Sequence, residues 1–325
     1  MTVLVTGAGG FIGSHLVEHL LSAGGKVRVL VKYNSRGSLG QLENLSRDAL
    51  AQLEIEYGDI TDAHLVRNLV KGCDIVFHLA ALISIPYSYQ TPDSYIKANL
   101  QGTLNVLQAC LEAGVKRLIV TSTSEVYGTA LYTPMDEAHP LQAQSPYAAS
   151  KIAADKLTES FFCSYGLPVV TLRPFNTYGP RQSARAVIPA IMIQALSGAE
   201  EINLGNLSPK RDLTFVGDTA RAFLSAAETP GIEGETIHFG QGKAISIADL
   251  ARLCLEVLGS DARLVVDAER QRPAGSEVES LLCDPSKARR LINWQPQISL
   301  EEGLKRTAAY LRENASRYQA KYKWI

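Results

Sequence analysis

Tyr147 and Lys151 stand four residues apart in Pro146-Tyr147-Ala148-Ala149-Ser150-Lys151. On a helix such a pair shares one face. A phenol, with an ordinary pKa of about 10, is a poor base at neutral pH. An ammonium one turn away stabilises the phenolate. Tyr147 can then take a proton from a hydroxyl while hydride leaves the same carbon. Upstream, the apolar run 118–120 ends in Thr121-Ser122-Thr123-Ser124-Glu125-Val126-Tyr127-Gly128. The carboxyl ends of strands are where doubly wound folds place their ligands.

A second constellation lies at the start of the chain. A strand-like run over 3–6 enters Gly7-Ala8-Gly9-Gly10-Phe11-Ile12-Gly13 and then a helical pattern. In a glycine series of this spacing the first residue permits a tight turn. The second lets backbone approach a pyrophosphate at the helix N-terminus, and the third lets helix and strand pack closely. The acidic ribose anchor that usually follows about 20 residues later is missing, because residues 31–36 read Val-Lys-Tyr-Asn-Ser-Arg. Without that carboxylate, Lys32, Ser35 and Arg36 suit a 2′-phosphate. NADP is therefore expected in preference to NAD, with Asn34 available to the ribose. Asp59, after a third strand, is placed to meet the adenine amine.

These groups need elements to hold them. Strands are expected over 3–6, 26–31, 54–57, 74–79, 117–121 and 168–172, and helices over 10–23, 63–70, 94–113 and 147–165. Several of the strands are largely apolar rather than alternating, which suits a parallel sheet covered on both faces. Strands alternating with helices imply βαβ units. The fold class is α/β, a doubly wound parallel Rossmann sheet with a smaller C-terminal substrate lobe. The division expected is a dinucleotide-binding domain over 1–175 and a partly interwoven lobe over 176–325. In the lobe, helices are expected over 187–197, 219–227, 247–258 and 300–313. The tail over 317–325 reads as a solvated helix end.

Composition narrows the partners. The 325 residues carry 32 Lys+Arg and 33 Asp+Glu, a net charge of −1, so no basic surface invites nucleic acid. Any anionic ligand must be met by a local constellation. Cysteines 73, 110, 163, 254 and 283 show neither a disulfide framework nor a zinc spacing, and no metal is expected. The longest apolar run, 75–85, is too short for the ~18 residues of a membrane span. A reduced, cytoplasmic protein is the expectation. His15, His19 and His64 read as structural or solvated, and His78 as packing.

Taken together, TGAGGFIG, HLAA at 78–81, STSEVYG, the Tyr147–Lys151 pair and RPFNTYGPR at 173–181 resemble the signature series of extended short-chain dehydrogenases/reductases, the sugar-nucleotide epimerase/dehydratase family. The resemblance runs over nearly the whole chain. It implies a bound nicotinamide dinucleotide, a nucleoside-diphosphate sugar and a homodimer built from the helices over 94–113 and 147–165. It implies Thr123 as hydrogen-bond partner of the reacting hydroxyl, Tyr147 as base and Lys151 as cofactor anchor, with Asn99 in support. The cofactor set is Gly7, Gly10, Phe11, Ile12, Gly13, Asn34, Ser35, Arg36, Asp59, Ile60, Leu79, Ala80, Ala81, Asn99, Tyr147, Lys151 and Pro174. The substrate set is Ser84, Ser124, Asn176, Arg185, Arg211 and Arg272, with Arg181 a further candidate.

Glu125 matches the base that a 4,6-dehydratase needs at C5, whereas a 4-epimerase needs no second base. Ser124 is a poor proton donor, so Glu125 is expected to serve as both base and acid. The stretches 33–35, 81–89, 179–189 and 272–273 resemble dehydratases of nucleotide-linked N-acetylglucosamine, of the legionaminic-acid-pathway type. UDP-glucuronate decarboxylase and NDP-sugar 4-epimerase are the alternatives among enzymes. A dinucleotide-sensing regulatory protein is the alternative outside them.

Overall fold

The computed structural model describes residues 1–318. The tail expected over 317–325 therefore lies almost wholly outside the described residues.

Among the described residues there are twelve strands: β1 (Thr2–Thr6), β2 (Lys26–Lys32), β3 (Leu53–Gly58), β4 (Ile75–His78), β5 (Arg117–Thr121), β6 (Val169–Pro174), β7 (Asn176–Tyr178), β8 (Glu201–Leu204), β9 (Lys210–Phe215), β10 (Thr236–Phe239), β11 (Ala244–Ser246) and β12 (Arg263–Val266). Seven form one parallel sheet in the order β10-β6-β5-β4-β1-β2-β3. The strand order reverses between β1 and β4, and a crevice opens there at the carboxyl ends of the strands.

The largely apolar strands are explained by what covers them. Val3, Val5, Phe77 and Ile119 join the core on one face, while Leu4, Val76, Leu118 and Val120 join the core on the other. Alternate side chains point to opposite faces, so a strand covered twice has no polar side to show.

Beyond residue 176 the chain contributes to both bodies. Strand β10 pairs with β6 in the large sheet. The helix Val216–Glu228 packs Ala222, Phe223 and Ala226 into the same core, joined by Trp294. The remainder builds the smaller lobe on β11-β9-β7 and β12-β8. The helices Val187–Leu196, Ile247–Leu258 and Leu300–Glu313 close its core around Met192, Leu250 and Leu304.

One expected element is different in kind. The helix expected over 94–113 is broken: Pro92–Tyr95 and Gly102–Ala113 are α-helical, and Ile96–Gln101 between them is a π-turn. Such wide turns insert a residue and turn its side chain out of the regular stripe. Asn99 lies in this turn and is 1% exposed.

Candidate active site

The glycine turn is built as its spacing requires. Gly7 has φ +71°, and a Cβ there would stand 2.7 Å from the Leu79–Ala80 backbone. A Cβ on Gly13 would stand 2.3 Å from the Gly7 carbonyl oxygen. The helix Phe11–Ser22 begins directly after Gly10, and the Gly10 N–H donates to the Gly7 carbonyl. Its N-terminus therefore faces the crevice with no side-chain cap over it, leaving N–H groups for an anion.

A single cavity of about 1660 Å³ runs from this turn to Glu277. A drug-sized ligand fills roughly 300–1,000 Å³, so the cleft has room for two. Its first end is lined by Gly7, Gly10, Phe11, Ile12 and Gly13, with Asn34, Asp59 and Ile60 and then Leu79, Ala80 and Ala81. Thr123, Glu125, Tyr147, Lys151 and Pro174 line the middle, and Ser84, Ser124, Asn176, Arg185, Arg211 and Arg272 the far end.

Three of the residues expected at the cofactor, Ser35, Arg36 and Asn99, stand off the cavity. Asn34 Oδ1 accepts N–H bonds from Arg36 and Ser38, and its amide donates to the Ser38 carbonyl. Asn34 thus closes its own turn, which carries Ser35 and Arg36 outward to exposed positions away from the cavity. Asn99 also stands off the cavity. Its Oδ1 accepts from Leu82 N–H at 2.8 Å, and its Nδ2 donates to the Leu82 carbonyl at 3.0 Å and to Ser150 Oγ at 2.9 Å. It ties the loop after β4 to the helix that carries Tyr147. Arg181 stands off the cavity too. Its guanidinium reaches Glu18 at 3.0 Å and pins the chain after β7 to the first helix, outside the cavity.

The central residues sit on the helix Pro146–Tyr165. Ser145 caps it by accepting the Ala148 N–H, with Pro146 at its first position. Tyr147 is therefore the second residue of the helix, where the dipole favours an anion. Burial pushes its phenol above the ordinary value, opposed by a hydrogen bond with Thr123 and reinforced by Glu125, Asp155 and Tyr95. Burial also lowers the Lys151 ammonium, and Asp155 opposes that. Lys151 Nζ donates to the Thr121 carbonyl at 2.7 Å. Thr123 Oγ1 accepts the Glu125 N–H at 3.2 Å, which places the Glu125 carboxylate in the cavity wall.

His78 has a structural setting: its two ring nitrogens share hydrogen bonds with the hydroxyls of Thr6 and Thr103, and burial lowers it to about 3. At the first end, burial would raise Asp59, but hydrogen bonds from Thr61 and the charge of Lys32 3.6 Å away hold it below the ordinary carboxylate value.

At the far end Arg211 lies 3.5 Å from Glu277, and Arg272 lies 4.0 Å from the same carboxylate. Sequence reasoning missed Glu277, since no local pattern ties residue 277 to residue 211. It also missed Tyr89, which lines the cavity and shares a hydrogen bond of 2.6 Å with Ser276, joining the large domain to the lobe.

The residues present fit a dinucleotide. Gly7 leaves a cradle that a Cβ would fill, and Thr121 Oγ1, buried in the cavity wall beside Lys151, has no partner. Asn176 Oδ1 is likewise buried without a partner in the cavity wall. Among the described residues no group of His, Cys, Asp and Glu is arranged to hold a metal, and no helix is long and apolar enough to cross a membrane.

Residues 4–307 match the GDP-mannose 4,6 dehydratase family. The dTDP-D-glucose 4,6-dehydratase of Mus musculus is 32% identical over 96% of this chain and 89% of its own. The dTDP-glucose 4,6-dehydratase DesIV of Streptomyces venezuelae, solved with NAD and TYD bound, superposes with a TM-score of 0.88 at 33% identity over 98% of this chain and 99% of its own. The UDP-N-acetylglucosamine 4-epimerase of Methanobrevibacter ruminantium M1, in complex with UDP-N-acetylmuramic acid, gives 0.86 at 33% over 96% and 98%. With the glycine cradle, the Tyr147–Lys151 pair and the arginine-lined far end in one cleft, the chain belongs to the extended short-chain dehydrogenase/reductase family as an enzyme of the nucleoside-diphosphate-sugar dehydratase/epimerase group.

Proposed function

We propose that the protein is a 4,6-dehydratase of a nucleoside-diphosphate N-acetylhexosamine, converting UDP- or GDP-linked N-acetylglucosamine to the 4-keto-6-deoxy sugar. The observation that carries this reading is Glu125, a carboxylate in the same cavity wall as Thr123 and Tyr147. Epimerisation at C4 returns hydride to the carbon it left and needs no second base. Dehydration does need one.

Tyr147, hydrogen-bonded to Thr123, takes the proton of the C4 hydroxyl. Glu125 removes the C5 proton, which the new C4 ketone has made acidic, and hands a proton to the hydroxyl leaving C6 as water. C5 then takes a proton from solvent, and Tyr147 returns to solvent the proton it took from the C4 hydroxyl. The Gly7–Gly13 turn and Lys151 would hold a nicotinamide dinucleotide, which would supply the hydride chemistry between C4 and C6. Lys151 stabilises the Tyr147 phenolate by its charge. Arg185, Arg211 and Arg272 meet the diphosphate and nucleotide, Asn176 offers its unpaired oxygen to the substrate, and Ser84 and Ser124 meet sugar hydroxyls. An archaeal relative that acts on UDP-N-acetylglucosamine supports an N-acetylated sugar in a cleft of this shape.

On the cofactor we keep NADP over NAD, now resting on Lys32 at the cavity wall and the missing acid after β2. Competitive titration of the two dinucleotides tests it, and a clear NAD preference overturns it. The partner of the helices Gly102–Ala113 and Pro146–Tyr165 is read as a second copy of the chain. Light scattering at a dimer mass supports that, and a monomer mass overturns it.

The reaction is tested by incubation with UDP-N-acetylglucosamine, GDP-N-acetylglucosamine and UDP-glucuronate in deuterated water. Loss of water with deuterium at C5 supports the dehydratase. Loss of carbon dioxide marks a decarboxylase, inversion at C4 without mass loss an epimerase, and absence of turnover a sensor. Glu125→Gln should abolish water loss and spare cofactor binding; full activity in that variant removes Glu125 from the mechanism.

A further inference from the structure

Lys151 is 4% exposed, and the environment that lets it stay charged is not supplied by its one hydrogen bond to a carbonyl. Taking an ammonium out of water is strongly unfavourable unless an opposite charge compensates it. Asp155 lies one turn further along the same helix face, where side chains four residues apart come within about 6 Å. It is 5% exposed.

Its carboxylate is held on one side only. Oδ2 accepts from Ser122 Oγ at 2.6 Å and from Arg173 Nε and a terminal guanidinium nitrogen at 3.1 and 2.9 Å. Oδ1 is buried with no partner. Arg173, on β6 and 6% exposed, also donates to the Tyr127 hydroxyl, which in turn bonds His238 on β10. The carboxylate is thus fixed by β5-side, β6 and helix atoms, with its spare oxygen on no donor.

We propose that Asp155 is a positioning residue, the buried counter-charge that keeps Lys151 cationic, and that Arg173 sets how much of its charge Lys151 receives.

The other titratable groups around this pair are few. His78 of β4 is held neutral between two hydroxyls. Glu125 and Tyr127 come from the turn after β5, and Tyr95 stacks edge-on to Tyr147 at 6.2 Å. His238 lies behind Arg173, with its second ring nitrogen 4.0 Å from Glu137. Burial lowers Lys151 and Asp155 raises it; Asp155 also raises Tyr147. A change at Asp155 therefore moves both groups of the reacting pair the same way, and a change at Arg173 moves them the opposite way.

The consequence for catalysis rests on reading Tyr147 and Lys151 as the reacting pair, but the test needs no sugar nucleotide. Lysine is labelled with carbon-13 at Cε, and the Lys151 signal is identified by its loss in Lys151→Met. Its titration midpoint is followed with and without added NAD. Asp155→Asn should lower the midpoint by about one pH unit or more, a tenfold weaker hold on the proton. Arg173→Gln should raise it. Ser122→Ala and Arg173→Lys, which leave both charges in place, should keep it. If Asp155→Asn does not fold, the direction in Arg173→Gln decides, with Arg173→Lys as its control. Midpoints that stay put in the charge-removing variants, or that move together in one direction, overturn the proposal. Failure to turn over any of the three sugar nucleotides bears only on the reaction assigned above.

Discussion

The carboxylate of Glu277 lies 3.5 Å from the Arg211 guanidinium, an ion pair almost wholly out of water at the far end of the cleft. Burial lowers the Arg211 pKa, and Glu125 and Glu277 work against that while Arg272 adds to it. On the function proposed above, an acid among these arginines makes an incoming diphosphate compete with a resident anion.

Glu277→Gln should therefore bind UDP more tightly, by roughly tenfold, as read by calorimetry at fixed salt. Weaker binding would show that Glu277 contacts the nucleotide itself.

Gly7→Ala should be destabilised by at least about 1 kcal/mol, because alanine is strained at φ +71° and its methyl meets backbone that cannot swing away. The same methyl occupies the cradle, so dinucleotide affinity should fall in parallel. A thermal melt and a binding titration on one sample check both.

Asn99→Ala removes the acceptor for Leu82 N–H and the donors to the Leu82 carbonyl and Ser150. Leaving such groups unpaired should cost about 2 kcal/mol, visible as an earlier urea midpoint. Turnover should drop at unchanged dinucleotide affinity, because Asn99 orients the catalytic helix and stands off the cavity. A matching loss of affinity would put it at the cofactor instead.

Stability should fall as pH drops from 6.5 toward 4. His15 Nε2 donates to the Pro180 carbonyl at 3.0 Å, and burial, with Arg181 nearby, lowers the ring from 6.5 to about 4. The unfolded chain then binds a proton that the native state refuses, so stability rises with pH across this window. At pH 5 the loss should be about 2 kcal/mol for this histidine. Urea unfolding of His15→Gln at pH 7 and pH 5 should show a correspondingly flatter dependence; an unchanged slope would remove His15 as its source.

Much of the molecule was legible in residue order. A glycine turn, a phenol–ammonium pair at helical spacing and apolar strands are local patterns, and local geometry obliges them to act within a few residues of where they stand. Gly7, Gly13, Tyr147 and Lys151 therefore fall where their spacing puts them. That the turn carries Ser35 and Arg36 off the cavity was not legible, because Asn34 has two uses and only the fold shows that its amide closes the turn. The continuous helix over 94–113 was misread because one inserted residue leaves no mark in composition. Tertiary structure alone decided which distant charges meet. Arg173 with Asp155, Arg211 with Glu277 and Arg181 with Glu18 are separated by 18, 66 and 163 residues. A charge pairs with whatever the packed chain brings within a few ångströms, and sequence spacing carries no record of that distance.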